Sequence, residues 1–103
     1  MKTDLNIISD VEIIVKPSGS IDFSNAQKLK KDLLDLFDSD YKKVRLNFEK
    51  VSRIDSSGLG KLLLFHKRLR EKDGKLIIEN VESSYVKNMF DVINLHKVIE
   101  IKD

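Results

Sequence analysis

Apolar positions along this chain change their spacing several times, and each change marks an element. Leu5, Ile7 and Ile8 predict a short first strand. Val11, Ile13, Ile14 and Val15 predict a second, ending before Pro17, with Ser9-Asp10 turning the chain between the two. Pro17 and Gly19 then read as a break. Ser24, followed three residues later by Gln27, has the form of a capping box. Ala26, Leu29, Leu33, Leu36 and Phe37 continue at helical spacing. Val44, Leu46 and Phe48 alternate with Arg45, Asn47 and Glu49, the period of a half-buried strand. Val51 and Ile54 lead into Asp55-Ser56-Ser57-Gly58.

A second helix is predicted through Leu59, Leu62, Leu63, His66 and Leu69, stopping near Gly74. Leu76, Ile77 and Ile78 form a further strand. Ser83 or Ser84 caps a third helix bearing Val86, Met89, Phe90 and Ile93, and Val98, Ile99 and Ile101 close with a last short strand. The order is β-β-α-β-α-β-α-β. Strands alternating with single helices imply right-handed crossovers. The fold class expected is α/β: a mixed, mainly parallel sheet with an antiparallel N-terminal edge strand, packed by helices. Its core should include Leu29, Leu33, Leu46, Leu62, Leu63, Ile77, Met89 and Phe90.

Size narrows the picture to one domain over residues 1–103, too small for a core and a deep substrate cavity together. Apolar residues make up 41% and charged residues 35%, a globular balance. The net charge of +2 comes from 19 basic and 17 acidic side chains, and the basic ones are interleaved with acids. Lys28, Lys30 and Lys31 sit with Asp32 and Asp35, as solvated helix faces do, so nothing points to direct nucleic-acid binding. The chain has no cysteine, which excludes disulfide and thiolate chemistry. No stretch has the length of a signal peptide or a membrane span, so a cytoplasmic protein without membrane insertion is expected.

Asp55-Ser56-Ser57-Gly58-Leu59-Gly60, between a strand and a helix, is the most informative stretch. A hydroxyl there meets a helix N-terminus, where free N–H groups and the dipole favour an added anion. Asp55, Ser56 or Ser57 can equally serve as an ordinary cap. Phosphate-loop motifs fail: Gly60-Lys61 lacks the upstream Gly and the following Ser or Thr, and Gly58-Leu59-Gly60 lacks a Gly at Leu63. Neither Ser56 nor Ser57 has Gly-x-Ser-x-Gly flanking, so no catalytic residue is assigned. His66 falls on or beside an apolar helix stripe and His96 near a helix end, and the two make no metal site. No metal or cofactor is expected. Asp22 is either a turn residue or a strand-end acid sharing one rim of the sheet with Asp55.

Over nearly its whole length the chain resembles the STAS domains, and among them the bacterial anti-sigma factor antagonists. Ile54-Asp55-Ser56-Ser57-Gly58-Leu59-Gly60 is similar to that family's phosphorylation loop. Gly19-Ser20-Ile21-Asp22 resembles its Gly-Glu-(Ile or Leu)-Asp, with Ser in place of Glu. Met89-Phe90-Asp91-Val92-Ile93-Asn94-Leu95 resembles its late helix-to-turn motif, with Ile93 replacing a small hydroxyl residue and Asn94 replacing Gly. Asn tolerates the left-handed conformation required at that turn.

The resemblance implies a non-enzymatic switch. The unmodified protein binds an anti-sigma factor that is also a serine kinase, and sigma factor is freed. The kinase uses ATP to phosphorylate Ser56, the complex breaks, and a serine phosphatase restores it. Asp55, Ser57, Gly58 and Leu59 would lie in the interface, with Asp22 and Ser24 on the adjacent rim. Two alternatives differ in class. One is a STAS accessory or scaffold module of a transport or stress-signalling system without a sigma factor; the other is a phosphocarrier using His66 or His96.

Overall fold

The computed structural model describes residues 2–37 and 39–102, with the Phe37 side chain outside the described set. Its elements in chain order are β1 (Lys2–Ile7), β2 (Glu12–Ile21), α1 (Ala26–Phe37), β3 (Lys43–Asn47), β4 (Lys50–Ile54), α2 (Ser56–Glu71), β5 (Lys75–Glu79), α3 (Ser84–Val92), a 3-10 turn (Leu95–Lys97) and β6 (Glu100–Lys102). The strand order is β1-β2-β3-β5-β6, with β4 also paired to β2. Among the described residues β1 pairs with β2 antiparallel, and the other pairs are parallel. The expected mixed sheet with an antiparallel N-terminal edge is therefore present.

β2 organises this sheet. Glu12 to Val15 pair with β3, and Ser18 to Ile21 pair with β4, both on the side away from β1. The sequence reading ended this strand before Pro17, but the strand runs through it to Ile21. Pro17 falls between the two parallel partners, where its missing N–H removes no bond to either. Gly19 has φ of 92°, and the register with β4 shifts between Gly19 and Ser20. That bulge takes the last residues of β2 to β4.

β4 is a strand of its own that the predicted order β-β-α-β-α-β-α-β does not separate from β3: Val51 and Ile54, which lead into Asp55, are its buried residues. Its buried residues are three apart, not two, because the bulged pairing breaks the alternation. A period-2 search misses such a strand.

Ile13, Val15, Val44, Leu46, Leu76 and Ile78 present one face of the sheet to Leu29, Leu33, Leu62, Phe65 and Leu69 of α1 and α2. On the opposite face Arg45 joins three strands: its Nε and Nη2 donate to the Glu79 carboxylate at 2.5 and 3.1 Å, and its Nη1 to Glu12 at 3.2 Å. Hydrogen bonds to Glu79 first, and then to Glu12, raise the Arg45 pKa above its usual value. Phe90 of α3 packs against Phe48, with ring centroids 6.0 Å apart.

Two core expectations need revision. Leu63 is 36% exposed, and Phe65 is the buried neighbour. Leu62, Leu63, Leu64 and Phe65 are consecutive apolar residues that together circle the helix, so periodicity alone does not fix which side turns inward. Met89 is only partly buried at the core's margin, whereas Ile77 is buried as expected. Ile93, read as a helix-face residue, is exposed at the C-terminal end of α3.

Candidate functional site

The parallel pairing of β2 with β4 sets Ile21 opposite Ile54. Asp22 and Asp55, the next residues of each strand, therefore emerge side by side on one rim, as the second reading of Asp22 required. The two strand ends are joined: the Asp55 N–H donates to the Ile21 carbonyl at 3.0 Å.

Asp55 is the N-cap of α2, which resolves the choice left open among the three capping candidates. One carboxylate oxygen accepts from the Gly58 N–H at 3.0 Å. The other accepts from the Phe23 N–H, also at 3.0 Å. A single side chain thus starts α2 and holds the entry to α1. With Asp55 capping, Ser56 becomes the first residue of the helix and is exposed. Ser57 and Leu59 are half-buried.

Gly58 is buried, so it serves this rim through packing. A Cβ at Gly58 would lie 2.5 Å from Ile21 Cγ2 and 3.0 Å from the Ile21 carbonyl oxygen. The start of α2 rests on the end of β2 at a distance only glycine permits. Gly60, by contrast, is exposed, with nothing within 4 Å of its would-be Cβ.

The α1 entry departs from the capping box read in the sequence. The Ser24 hydroxyl donates to Asp22 Oδ1 at 2.5 Å, and the Ser24 N–H donates to the same oxygen at 3.0 Å. These bonds, the hydroxyl first, hold the Asp22 carboxyl below its ordinary pKa. Asn25 completes the turn: its Oδ1 accepts from the Asp22 N–H at 2.8 Å, and its Nδ2 donates to the Ser20 carbonyl at 2.6 Å. Asn25 competes successfully because its amide both donates and accepts, reaching two backbone groups at once.

Phe23 was missed by the sequence reading. It is 83% exposed, although its backbone is fixed by Asp55. The available signal was its position: an aromatic between Asp22 and Ser24, out of step with the Ala26–Leu29–Leu33 stripe. Tyr85 was missed as well. Arg53, two residues before Asp55, lies over the Tyr85 ring at 4.7 Å from its centroid. Ser83 caps α3, accepting from the Val86 N–H at 3.3 Å while donating to the Ser52 carbonyl at 2.9 Å. The start of α3 is thereby tied to the strand that delivers the loop.

Neither histidine joins this rim. His66 is half-buried within α2 with Nδ1 lacking a partner; burial, and then Arg70, lowers its pKa. His96 is exposed in the 3-10 turn. Among the described residues no group of three or more His, Cys, Asp or Glu could hold a metal ion, and no helix is long and apolar enough to cross a membrane. Asn94 adopts the left-handed conformation expected of it, with φ of 54° and ψ of 43°.

The STAS domain family model matches residues 2–103. This chain belongs to the STAS domain family. An anti-sigma-B factor antagonist of Bacillus subtilis is 30% identical over 102 residues, covering 94% of this chain and 92% of that one. A crystal structure from Thermotoga maritima, assigned to the anti-sigma factor antagonists, superposes with a TM-score of 0.90 at 24% identity, covering 98% of this chain and 86% of that one. The Bacillus cell-fate determinant SpoIIAA in its phosphorylated form gives a TM-score of 0.75 at 20% identity, covering 97% of this chain and 90% of that one.

Proposed function

We propose that this STAS domain is an anti-sigma factor antagonist, a non-enzymatic cytoplasmic switch whose affinity for its partner is set by phosphate on Ser56. The observation that carries the reading is the division of labour at the start of α2. Asp55 takes the cap, so Ser56 is free of that duty and exposed at the first helical position. The B. subtilis relative supports the partner class, an anti-sigma factor, and in this reading that partner is also the serine kinase. A serine phosphatase closes the cycle.

The physics of the switch is asymmetric. A phosphate brings about −1.5 to −2 charge at neutral pH. At a helix N-terminus that anion is stabilised by about 0.3–1 kcal/mol, offset in part by repulsion from Asp55. The fold therefore registers little. A docked partner meets a charge its surface was not built to neutralise, and a hundredfold loss of affinity requires only about 2.7 kcal/mol. Phe23, Ser57 and Leu59 supply apolar and polar contact area around the serine, with Asp22 and Ser24 on the flank.

The test begins with unmodified protein immobilised in an extract of its own cells. It should retain a kinase that uses ATP to place phosphate on Ser56 and then releases the protein. Calorimetry with that kinase should give at least about a hundredfold weaker binding for the phosphorylated form. Ser56→Ala should fold, bind and stay bound in the presence of ATP. Phosphate mapped to Ser57, unfolding by phosphorylation, or unchanged affinity would each overturn the proposal.

A further inference from the structure

The two ends of the sheet and its β4 flank are protected to different degrees. β6 is three residues long and carries Glu100 and Lys102, with Glu100 ion-paired to Lys75. β4 bears Lys50 and Arg53, is bulged against β2, and has its Ser52 carbonyl bonded by Ser83 at the start of α3. Short length, charge, bulges and covering helices are the usual defences of an edge strand. β1 has no bulge against β2, and its charges are Lys2 and Asp4, which alternate with Thr3, Leu5 and Ile7. Its six residues pair with β2 in unbroken register, no proline interrupts them, and β2 is its one partner among the described residues. Leu5 and Ile7 are 57% and 65% exposed.

The ladder also fixes which backbone groups are open. The Ile8 N–H donates to the Glu12 carbonyl at 3.0 Å, so Ile8 and Glu12 form a hydrogen-bonded pair. Such pairs alternate along an antiparallel ladder. Asn6, Asp4 and Lys2 therefore bond to β2, and the N–H and C=O groups of Thr3, Leu5 and Ile7 point to the open side.

We infer that this edge pairs with a second copy of the chain, β1 to β1 and antiparallel, about a twofold axis at Leu5. The strand is self-complementary in that register. Leu5 faces Leu5 of the other copy as a hydrogen-bonded pair, and Thr3 faces Ile7, so every open N–H and C=O from Thr3 to Ile7 finds a partner. On the other face Asp4 lies opposite Asn6, an acceptor against a donor. Moving the axis to Asp4 would set two carboxylates directly opposite each other, which is destabilising. The groove between β1 and α1 is bordered by Leu5, Leu36, Lys28, Asp32 and Asp35. Lys28 and Asp32 of this rim already pair with each other at 3.1 Å, so a twofold brings together two rims in which that lysine is neutralised. β4 lies across β2 from β1, so the dimer leaves both Ser56 loops accessible and is bivalent for a partner.

The chain has no cysteine, so a single introduced one reports its own neighbour. Sedimentation of the whole chain in a series up to about 1 mM should show a monomer–dimer equilibrium. Leu5→Cys should form a disulfide-linked dimer in air, because directly opposed residues have the Cα separation a disulfide needs. Asp4→Cys should not self-link. Leu5→Lys should fold with an unchanged far-UV spectrum and weaken the dimer by at least about tenfold, whereas Ser56→Ala should leave it intact. A monomer at every concentration overturns the inference. So does a dimer that persists in Leu5→Lys, or one that links more readily through Asp4→Cys.

Discussion

Gly58 and Gly60 stand two residues apart on α2, yet they do opposite things. The inward side of the first turn is packed until only hydrogen fits: a Cβ at Gly58 would meet Ile21 side chain and backbone. The outward side is bare, and a Cβ at Gly60 would meet nothing within 4 Å. One glycine is required by the fold. The other weakens a helix without any internal contact to justify it. The difference separates what the loop needs to be held from what it needs to present.

The inward side should give the larger effect. Gly58→Ala forces either Ile21 or the helix start to move, and overpacking of this kind costs about 1–3 kcal/mol. Ile21 is fully buried, so it has little room to yield. The helix start moves with it, taking the Asp55–Gly58 cap along. Urea denaturation should show a lower midpoint with an unchanged slope. An unchanged midpoint would mean that the close approach to β2 is not what fixes the loop.

Asp55 stands between the two sides, and its two oxygens are separable. Asparagine keeps an oxygen for the Gly58 N–H and is itself a good cap. Its NH2 group cannot accept from the Phe23 N–H. Asp55→Asn should therefore retain α2 and lose the link to the α1 entry, at about 0.5–1.5 kcal/mol. Amide exchange checks this directly: Phe23 should exchange faster while Gly58 stays protected. Equal loss at both amides would show that the carboxylate acts as one unit.

This division also explains how much was legible beforehand. The rim stood in the sequence as one of two readings of Asp22, and it exists because Asp22 and Asp55 each follow the end of a strand and those strands pair in parallel. The identity of the cap was not, since Asp, Ser and Ser in succession all cap well. Phe23 was invisible because it is exposed, and apolar periodicity detects burial. The fold class followed from strands alternating with helices, whereas β4 was lost to a bulge that destroys the two-residue period. Leu63 was misplaced because four apolar residues in a row leave a helix face undetermined. Pro17 looked like a strand end, yet β2 tolerates it where β3 has stopped and β4 has not begun.

The smallest effect belongs to Gly60, and it carries the sharper lesson. Ser56 and Gly60 are one turn apart, so they share a helix face. Both are exposed. Alanine at position 60 removes backbone freedom from the unfolded chain and meets no obstacle in the folded one. Gly60→Ala should therefore stabilise the domain by about 0.5–1 kcal/mol. In the proposed switch a kinase acting on Ser56 would close over this face, and the added methyl group would stand directly beneath the serine. The same variant should then be phosphorylated more slowly and bind the kinase more weakly, with opposite signs in stability and function. Thermal melts and initial rates of phosphate incorporation measure the two together. A more stable protein phosphorylated at the original rate would show that no partner uses the bare side of α2. A less stable one would show that Gly60 has a structural constraint that the open space around it does not reveal.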